Sequence, residues 1–91
     1  MTRYRVEVRV TPREGLLDPQ GRAVHAALGN LGYDSVDRVR VGRLVQLAVE
    51  AGSEPEATER VREMCDRLIA NPVTEDYEIR VVGDGGDGPD G

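Results

Sequence analysis

Cys65 and His25 are the only thiol and the only imidazole in this chain of 91 residues, so a nucleophile activated by a histidine would have to use this pair. Cys65 lies on the apolar stripe of a predicted helix, where a free cysteine is typically a small core residue rather than a reactive thiolate. His25 lies beside the apolar stripe of another predicted helix, which favours a surface or interface position. The pair therefore predicts structure rather than catalysis.

The sequence also argues against metal and phosphate sites. One Cys and one His fall short of a zinc site and of the C-x-x-C motif that a metallochaperone needs. Residues 11–15 lie where an acylphosphatase would have a glycine-rich anion loop, but Glu14 would repel a phosphate there. Residues 83–88 are rich in glycine yet lack the Lys-Ser/Thr ending of a phosphate loop. We therefore predict no catalytic, cofactor-binding or metal-binding residue in this chain.

The charge distribution argues against nucleic acid as a partner. Residues 1–43 hold eight Arg against five acidic residues, or +3, and residues 44–91 hold four Arg against twelve, or −8. The arginines are spread singly along predicted strands and are not interleaved with aromatic residues, as they are in single-strand binders. The basic half is suited to phosphates or to an acidic partner, but we predict no nucleic acid partner.

Size, cysteine content and hydropathy predict a soluble cytoplasmic protein that associates with itself. A single cysteine cannot form an intrachain disulfide, the N-terminal residues lack the pattern of a signal peptide, and no apolar run approaches the length of a membrane span. A domain of this size has a marginal core, and association with another copy commonly supplies the missing burial. We expect a homodimer or tetramer.

The first half of the chain predicts a strand followed by a helix. Residues 3–10 alternate Val and Tyr with charged residues, which is typical of a strand with one buried face. Asp18 and Pro19 are a helix N-cap and first-turn proline, and Gly32 suits a left-handed C-terminal position. The spacing of the apolar residues between them predicts a helix over residues 19–31.

The middle of the chain predicts a β-hairpin. Residues 36–41 and 44–50 each alternate apolar and polar side chains, and only Gly42 and Arg43 separate them. A two-residue connection with glycine first matches a type II′ turn between antiparallel strands.

The second half predicts a helix, a strand and a tail. Ser53 and Glu56 form a capping box before a helix that ends near residues 71–72, and residues 77–81 alternate as a last strand. The element order βαββαβ predicts an α+β fold of two layers, with a mainly antiparallel four-stranded sheet and both helices on one face, as in ferredoxin-like folds. We assign residues 1–82 to one domain and residues 83–91 to a disordered tail rich in Gly and Asp.

Three segments carry a family resemblance: residues 17–24 at the start of the first helix, residues 39–43 at the predicted hairpin, and residues 63–77 from the end of the second helix into the last strand. In order and separation they resemble the PurS family, the small subunits of phosphoribosylformylglycinamidine synthase of purine biosynthesis. The resemblance covers about residues 3–82. Arg43 stands where the family commonly has lysine, and Thr74 where it commonly has an aliphatic residue.

The resemblance implies a non-catalytic subunit that bridges a glutaminase subunit and an ATP-dependent synthetase subunit. In such a complex ATP and Mg²⁺ belong to the synthetase, and this chain needs no cofactor of its own. An alternative with the same element order is an amino-acid-sensing domain of the ACT type, whose ligand loop would contain Gly15. The residues that we predict at the subunit interface are Asp18, Gln20, Gly21, Arg40, Gly42, Arg43, Asn71, Glu75, Asp76 and Tyr77.

Overall fold

A three-stranded antiparallel sheet organises the chain. The structure, a computed structural model, describes residues 1–84, and its strands are β1 (Thr2–Pro12), β2 (Arg43–Ala51) and β3 (Glu75–Asp84) in the order β2-β1-β3. β1 is the central strand, and its inward side chains are therefore the most deeply buried of the sheet: Val6, Val8 and Val10 are all at most 1% exposed. The predicted α+β class is confirmed.

The helix α2 (Glu54–Met64) covers the inner face of the sheet. Ser53 caps it by accepting a hydrogen bond from the Glu56 amide at 3.3 Å, as the capping box predicts. The Glu56 side chain returns to the amide of Gly52, one residue before the cap, at 2.9 Å. Val61 and Cys65 then pack against the valines of β1 in the core. The predicted start of this helix is therefore confirmed.

A π-helical turn over Cys65–Ile69 ends the second helix. The amide of Ala70 bonds to the carbonyl of Cys65 at 3.0 Å, which is the i to i+5 bond of that turn. Ala70 itself is buried in the core, so the wider turn brings the chain back onto the sheet before β3 begins.

The helix α1 (Pro19–Asn30) has the predicted ends but not the predicted packing. Gly32 has φ +98° and its amide, with that of Tyr33, closes the C-terminus on carbonyls of the last turn. Gly21 is the only buried residue of α1, whereas Val24 is 41% and Leu31 72% exposed. The prediction that both helices cover one face of the sheet is therefore wrong for α1, which projects from it.

The predicted strand over residues 36–41 is also wrong, and so is the hairpin that would join it to β2. These residues have no strand partner, and β2 pairs with β1 instead, with Arg43 opposite Val10. The segment runs beside α1: the Val41 amide bonds to Asp18 at 3.0 Å, and the Val36 carbonyl lies 3.0 Å from His25. Side chains of the helix thus satisfy backbone groups that a sheet neighbour would otherwise bind. The sheet of residues 1–84 accordingly has three strands rather than four.

The outer face of the sheet is solvated and charged. Glu7 on β1 lies opposite Arg80 on β3, and it accepts a hydrogen bond from Gln46 of β2 at 3.1 Å. Arg9 on β1 lies opposite Glu78. Opposite charges on neighbouring strands suit a face in contact with water, although Leu44 of β2, opposite Arg9, adds an exposed apolar side chain to this face.

The C-terminal boundary lies slightly beyond the predicted one. β3 extends to Asp84, two residues past the domain end that we place at residue 82. The rest of the predicted disordered tail, residues 85–91, lies outside the described residues. Over residues 1–84, neither helix is both long enough and apolar enough to cross a membrane.

Candidate functional site

The predicted interface residues gather at one end of the sheet, where β1 ends and β2 and β3 begin. Val10 lies opposite Arg43 on one side and Tyr77 on the other, and Pro12 lies opposite Glu75. Segments that are distant in the sequence therefore share one surface. Strand pairing brings the second and third motifs together, and the hydrogen bond of Asp18 with the Val41 amide attaches the first motif to them.

Asp18 joins the start of α1 to residues 36–42. One carboxylate oxygen accepts a hydrogen bond from the Gly21 amide and the other from the Val41 amide, both at 3.0 Å. A Cβ at Gly21 would lie 2.4 Å from Asp18 and from the carbonyl oxygen of Val39. The capping interpretation of Asp18 is confirmed, and Gly21 is needed because two pieces of chain approach so closely there.

Gly42 and Arg40 have roles that differ from those of a hairpin turn. A Cβ at Gly42 would lie 2.2 Å from the carbonyl oxygen of Val10, so glycine lets this segment cross the end of β1. The guanidinium of Arg40 lies 3.9 Å from Glu14, and its side chain is one-third exposed. Backbone geometry therefore fully accounts for Gly42 but not for Arg40.

Arg43 is the centre of a network that ties β2 to β3. Its two guanidinium nitrogens donate to the two carboxylate oxygens of Glu75 at 2.8 and 3.1 Å, and one of them also donates to the Ile69 carbonyl. Glu75 accepts a further bond from the Asn71 amide at 2.8 Å. The Arg43 guanidinium and the Asn71 amide together lower the pKa of Glu75 below its usual range. A planar guanidinium fits this fork better than an ammonium would.

Asp76 and Tyr77 extend this network toward neighbouring elements. Asp76 lies 3.4 Å from the guanidinium of Arg13, and the Tyr77 hydroxyl donates to Asp66 at 2.8 Å. The bond to the Asp66 carboxylate raises the pKa of Tyr77, because the protonated phenol is the hydrogen-bond donor. Both residues are thus held in place from outside their own strand.

Asn71 shapes the turn before β3, and Gln20 is open to solvent. The Asn71 side chain accepts a bond from the Val73 amide at 3.0 Å, which is an Asx-type turn. Gln20 is exposed, and its side chain makes no hydrogen bond to another residue within residues 1–84. Among the predicted residues, Gln20 is therefore the one that local structure explains least.

Arg13, Glu14 and Arg38 belong to the same surface but are absent from the predicted set. Arg13 donates to the Pro72 carbonyl at 2.6 Å, and Glu14 pairs with Arg38 at 3.0 Å. Arg38 stands two residues before Arg40, and that repeat is the sequence signal that could have included it. Nothing local could have indicated Arg13 or Glu14, because their partners come from other parts of the chain.

Cys65 lies in the core and His25 on the surface, as the sequence predicts. Cys65 is fully buried, and burial raises the pKa of its thiol, which opposes formation of the reactive thiolate. His25 contacts the Val36 carbonyl, so its Nε2 carries the proton in that contact. Within residues 1–84, no group of three or more His, Cys, Asp or Glu side chains is arranged to hold a metal ion.

Comparison with known proteins places the chain in a family. The profile of the family described as PurS, phosphoribosylformylglycinamidine (FGAM) synthase, matches residues 5–83. This chain belongs to the PurS family. Enzymatic activity in this family therefore belongs to a synthase of which such a chain is one subunit, and the resemblance seen in the three motifs is confirmed.

Several relatives are similar over most of their length. The PurS subunit of the synthase from Synechocystis sp. is 45% identical over 79 residues, covering 87% of this chain and 79% of that protein. The structure of Bacillus subtilis PurS is 42% identical with a TM-score of 0.78, covering 88% of this chain and 99% of that one. A chain of the PurLQS structure from Thermotoga maritima is 32% identical with a TM-score of 0.82, covering 90% of this chain and 100% of that one.

Proposed function

We propose that this chain is the non-catalytic connector of a phosphoribosylformylglycinamidine synthase complex, holding a glutaminase subunit and an ATP-dependent synthetase subunit together. The complex would convert formylglycinamide ribonucleotide to formylglycinamidine ribonucleotide with ammonia released from glutamine. The observation that carries the proposal is the likeness to a chain of the Thermotoga maritima PurLQS structure over 90% of this chain. ATP and Mg²⁺ would bind the synthetase subunit, and the complex would work in the cytoplasm.

The physical advantage of a connector is proximity. Ammonia that escapes into water is protonated and loses its nucleophilic lone pair, so the two active sites gain from being held in fixed relation. The surface at the end of the sheet suits this task because its side chains are already fixed. Arg43, Glu75 and Asp18 are hydrogen-bonded within the chain, so little side-chain entropy would be lost when a partner binds.

A reconstitution experiment tests the connector role. The chain is mixed with the candidate glutaminase and synthetase subunits while ATP, ADP and glutamine are varied, and co-elution and glutamine-dependent activity are measured. We expect both to require this chain. Gln20→Ala should weaken co-elution, whereas Gln46→Ala on the outer face of the sheet should not. The proposal fails if the chain neither co-elutes with the two subunits nor raises their glutamine-dependent activity.

We propose further that the connector is a homodimer in which α1 of one copy covers the sheet of the other. Two apolar surfaces of the chain support this. Val24 and Leu28 on α1 form an apolar stripe with Leu31, the C-cap residue; Val24 and Leu31 are exposed and Leu28 is only partly buried. On the sheet, the inward side chains of both outer strands are half-buried, because α2 alone covers that face. They are Val45, Leu47, Val49, Tyr77, Ile79 and Val81.

The open edge of β2 supports the same arrangement. In a ferredoxin-like sheet a further strand would pair there, and residues 36–41 have the alternating pattern of one but lie beside α1. A second copy could supply both its helix and its residues 36–41 to this side of the sheet. The exchange would be mutual, so both copies would bury the same surfaces, as a two-fold interface requires.

The oligomeric state tests the homodimer directly. Leu28→Asp places a charge in the apolar stripe and should convert the dimer to a monomer in light-scattering measurements at micromolar concentration. Ala26→Asp places the same charge on the opposite side of α1 and should leave the dimer intact. A native chain that is monomeric at these concentrations would overturn the dimer but not the connector role.

A further inference from the structure

A cleft lined by arginines lies between the loop before α1 and residues 38–40. Its volume is about 510 Å³, in the range of small-molecule sites. Its walls carry four arginines and two carboxylates, although the chain as a whole has a net charge of −5. Leu16, Leu17 and Val39 form an apolar part of the lining. The charged residues of the lining are Arg13, Arg22, Arg38, Arg40, Glu14 and Asp18.

The two carboxylates of the cleft are engaged in different ways. Both oxygens of Asp18 accept backbone amides, so this carboxylate is part of the fold. Glu14 instead lies between two guanidinium groups, 3.0 Å from Arg38 and 3.9 Å from Arg40, and its side chain is 61% exposed. Glu14 therefore occupies the position that an external anion would take.

Glu14 is a weak occupant of that position. Ion pairs between exposed side chains contribute about 0 to 1 kcal/mol, because water screens them and two long side chains must be ordered. An anion with two or more charges attracts the guanidinium groups more strongly than one carboxylate does. Glu14 could swing into solvent, since it lies in a loop between Pro12 and the start of α1. The repulsion that the sequence predicts from Glu14 is thus already neutralised by Arg38 and Arg40.

We propose that this cleft binds a phosphate compound with at least two negative charges, such as a diphosphate group, in exchange for Glu14. Arginine forks match phosphate oxygens in geometry, and Arg22 makes no ion pair within residues 1–84. The volume of the cleft is that of a small-molecule site, which favours a small molecule over an acidic peptide. The diphosphate is either free or carried by a nucleotide whose organic part reaches the leucines. The proposal concerns the chain alone and does not depend on the connector role.

Amide chemical shifts of the isotope-labelled full-length chain test the site at low ionic strength. Pyrophosphate and adenosine diphosphate are added separately, without Mg²⁺, and citrate is added as a polycarboxylate of similar charge. We expect saturable shifts at residues 13–18 and 38–41 with one or both phosphate compounds, and weaker ones with citrate. A preference for adenosine diphosphate over pyrophosphate identifies the nucleotide as the source, and equal affinity identifies the free diphosphate.

Variants separate this site from general attraction to a protein surface. Arg38→Gln with Arg40→Gln should weaken binding about 10-fold or more, whereas Arg60→Gln with Arg62→Gln removes the same charge from α2 and should change it less than about 2-fold. Glu14→Gln should tighten binding about 5-fold, because it removes the competing carboxylate. The proposal is overturned if no shifts occur at residues 13–18, if citrate binds equally well, if both arginine pairs have equal effects, or if Glu14→Gln leaves the affinity unchanged.

Discussion

Arg43 and Glu75 form a bidentate ion pair that joins the first residue of β2 to the first residue of β3, with nitrogen to oxygen distances of 2.8 and 3.1 Å. The two strands lie on opposite sides of β1: Arg43 is opposite Val10, and Glu75 is opposite Pro12. The ion pair therefore crosses the end of the central strand. Arg43 also reaches the carbonyl that ends the π-helical turn. The pair thus fixes three elements relative to one another.

Removing either partner should destabilise the chain. Arg43→Gln and Glu75→Gln should each lower the free energy of unfolding by about 1 kcal/mol, because the pair is partly exposed but bidentate. The double variant should lose less unfolding free energy than the two single variants lose together. A double-mutant cycle by urea unfolding would measure this difference. Arg67→Gln, on the exposed side of the π-helical turn, is the control. Strictly additive losses would show that the two side chains do not interact in solution.

The same pair should make stability depend on pH on the acid side. The folded pKa of Glu75 is lowered, so its contribution is fully present above the unfolded value of about 4.3 and is lost as the pH falls through the folded value. The difference in unfolding free energy between the native chain and Glu75→Gln should therefore shrink as the pH falls below about 4. Urea titrations at several pH values would measure it. Glu63→Gln, on α2 and outside the network, supplies the comparison, and a difference that is constant with pH would contradict the prediction.

Two glycines of α1 should respond in opposite ways to the same substitution. Gly21→Ala should detach the start of α1 from residues 36–42, because its Cβ would lie 2.4 Å from the Val39 carbonyl oxygen. Gly29→Ala meets nothing within 4 Å and should stabilise the helix by about 0.5 to 1 kcal/mol. The Val41 amide donates a hydrogen bond to Asp18, so its rate of hydrogen exchange measures whether the start of α1 stays attached to residues 36–42. Exchange should be faster in Gly21→Ala and unchanged in Gly29→Ala.

The thiol of Cys65 should react only when the core opens. Cys65 is fully buried and the pKa of its thiol is raised, so alkylation of the native chain should be far slower than in urea. Val61→Ala should speed alkylation of the native chain about 10-fold or more, because it opens a cavity beside the thiol at a cost of about 1 to 3 kcal/mol. Val73→Ala, where the side chain is 74% exposed, should leave the rate unchanged. Equal rates in native and Val61→Ala chains would contradict this account.

The sequence by itself determined the local features whose causes lie within a few residues. The alternation of β1, the Asp18 cap, the Gly32 C-terminus and the Ser53 cap each depend on neighbours in the chain, so pattern and residue type are enough to predict them. The same holds for the core position of Cys65, which follows from the helical stripe that contains it.

Only the tertiary structure decided how the middle of the chain is used. Alternation over residues 36–41 predicts a strand because it places the apolar side chains on one face. It does not identify the part of the chain that would form hydrogen bonds with the backbone amides and carbonyls of these residues. Here Asp18 binds the Val41 amide and His25 the Val36 carbonyl, and Gly42 serves a close approach to Val10 rather than a turn. The grouping of Arg43 with Glu75, and of Glu14 with Arg38 and Arg40, likewise depends on contacts between residues at least 24 positions apart. Such contacts are set by which surfaces pack together, and no local pattern in the sequence encodes that choice.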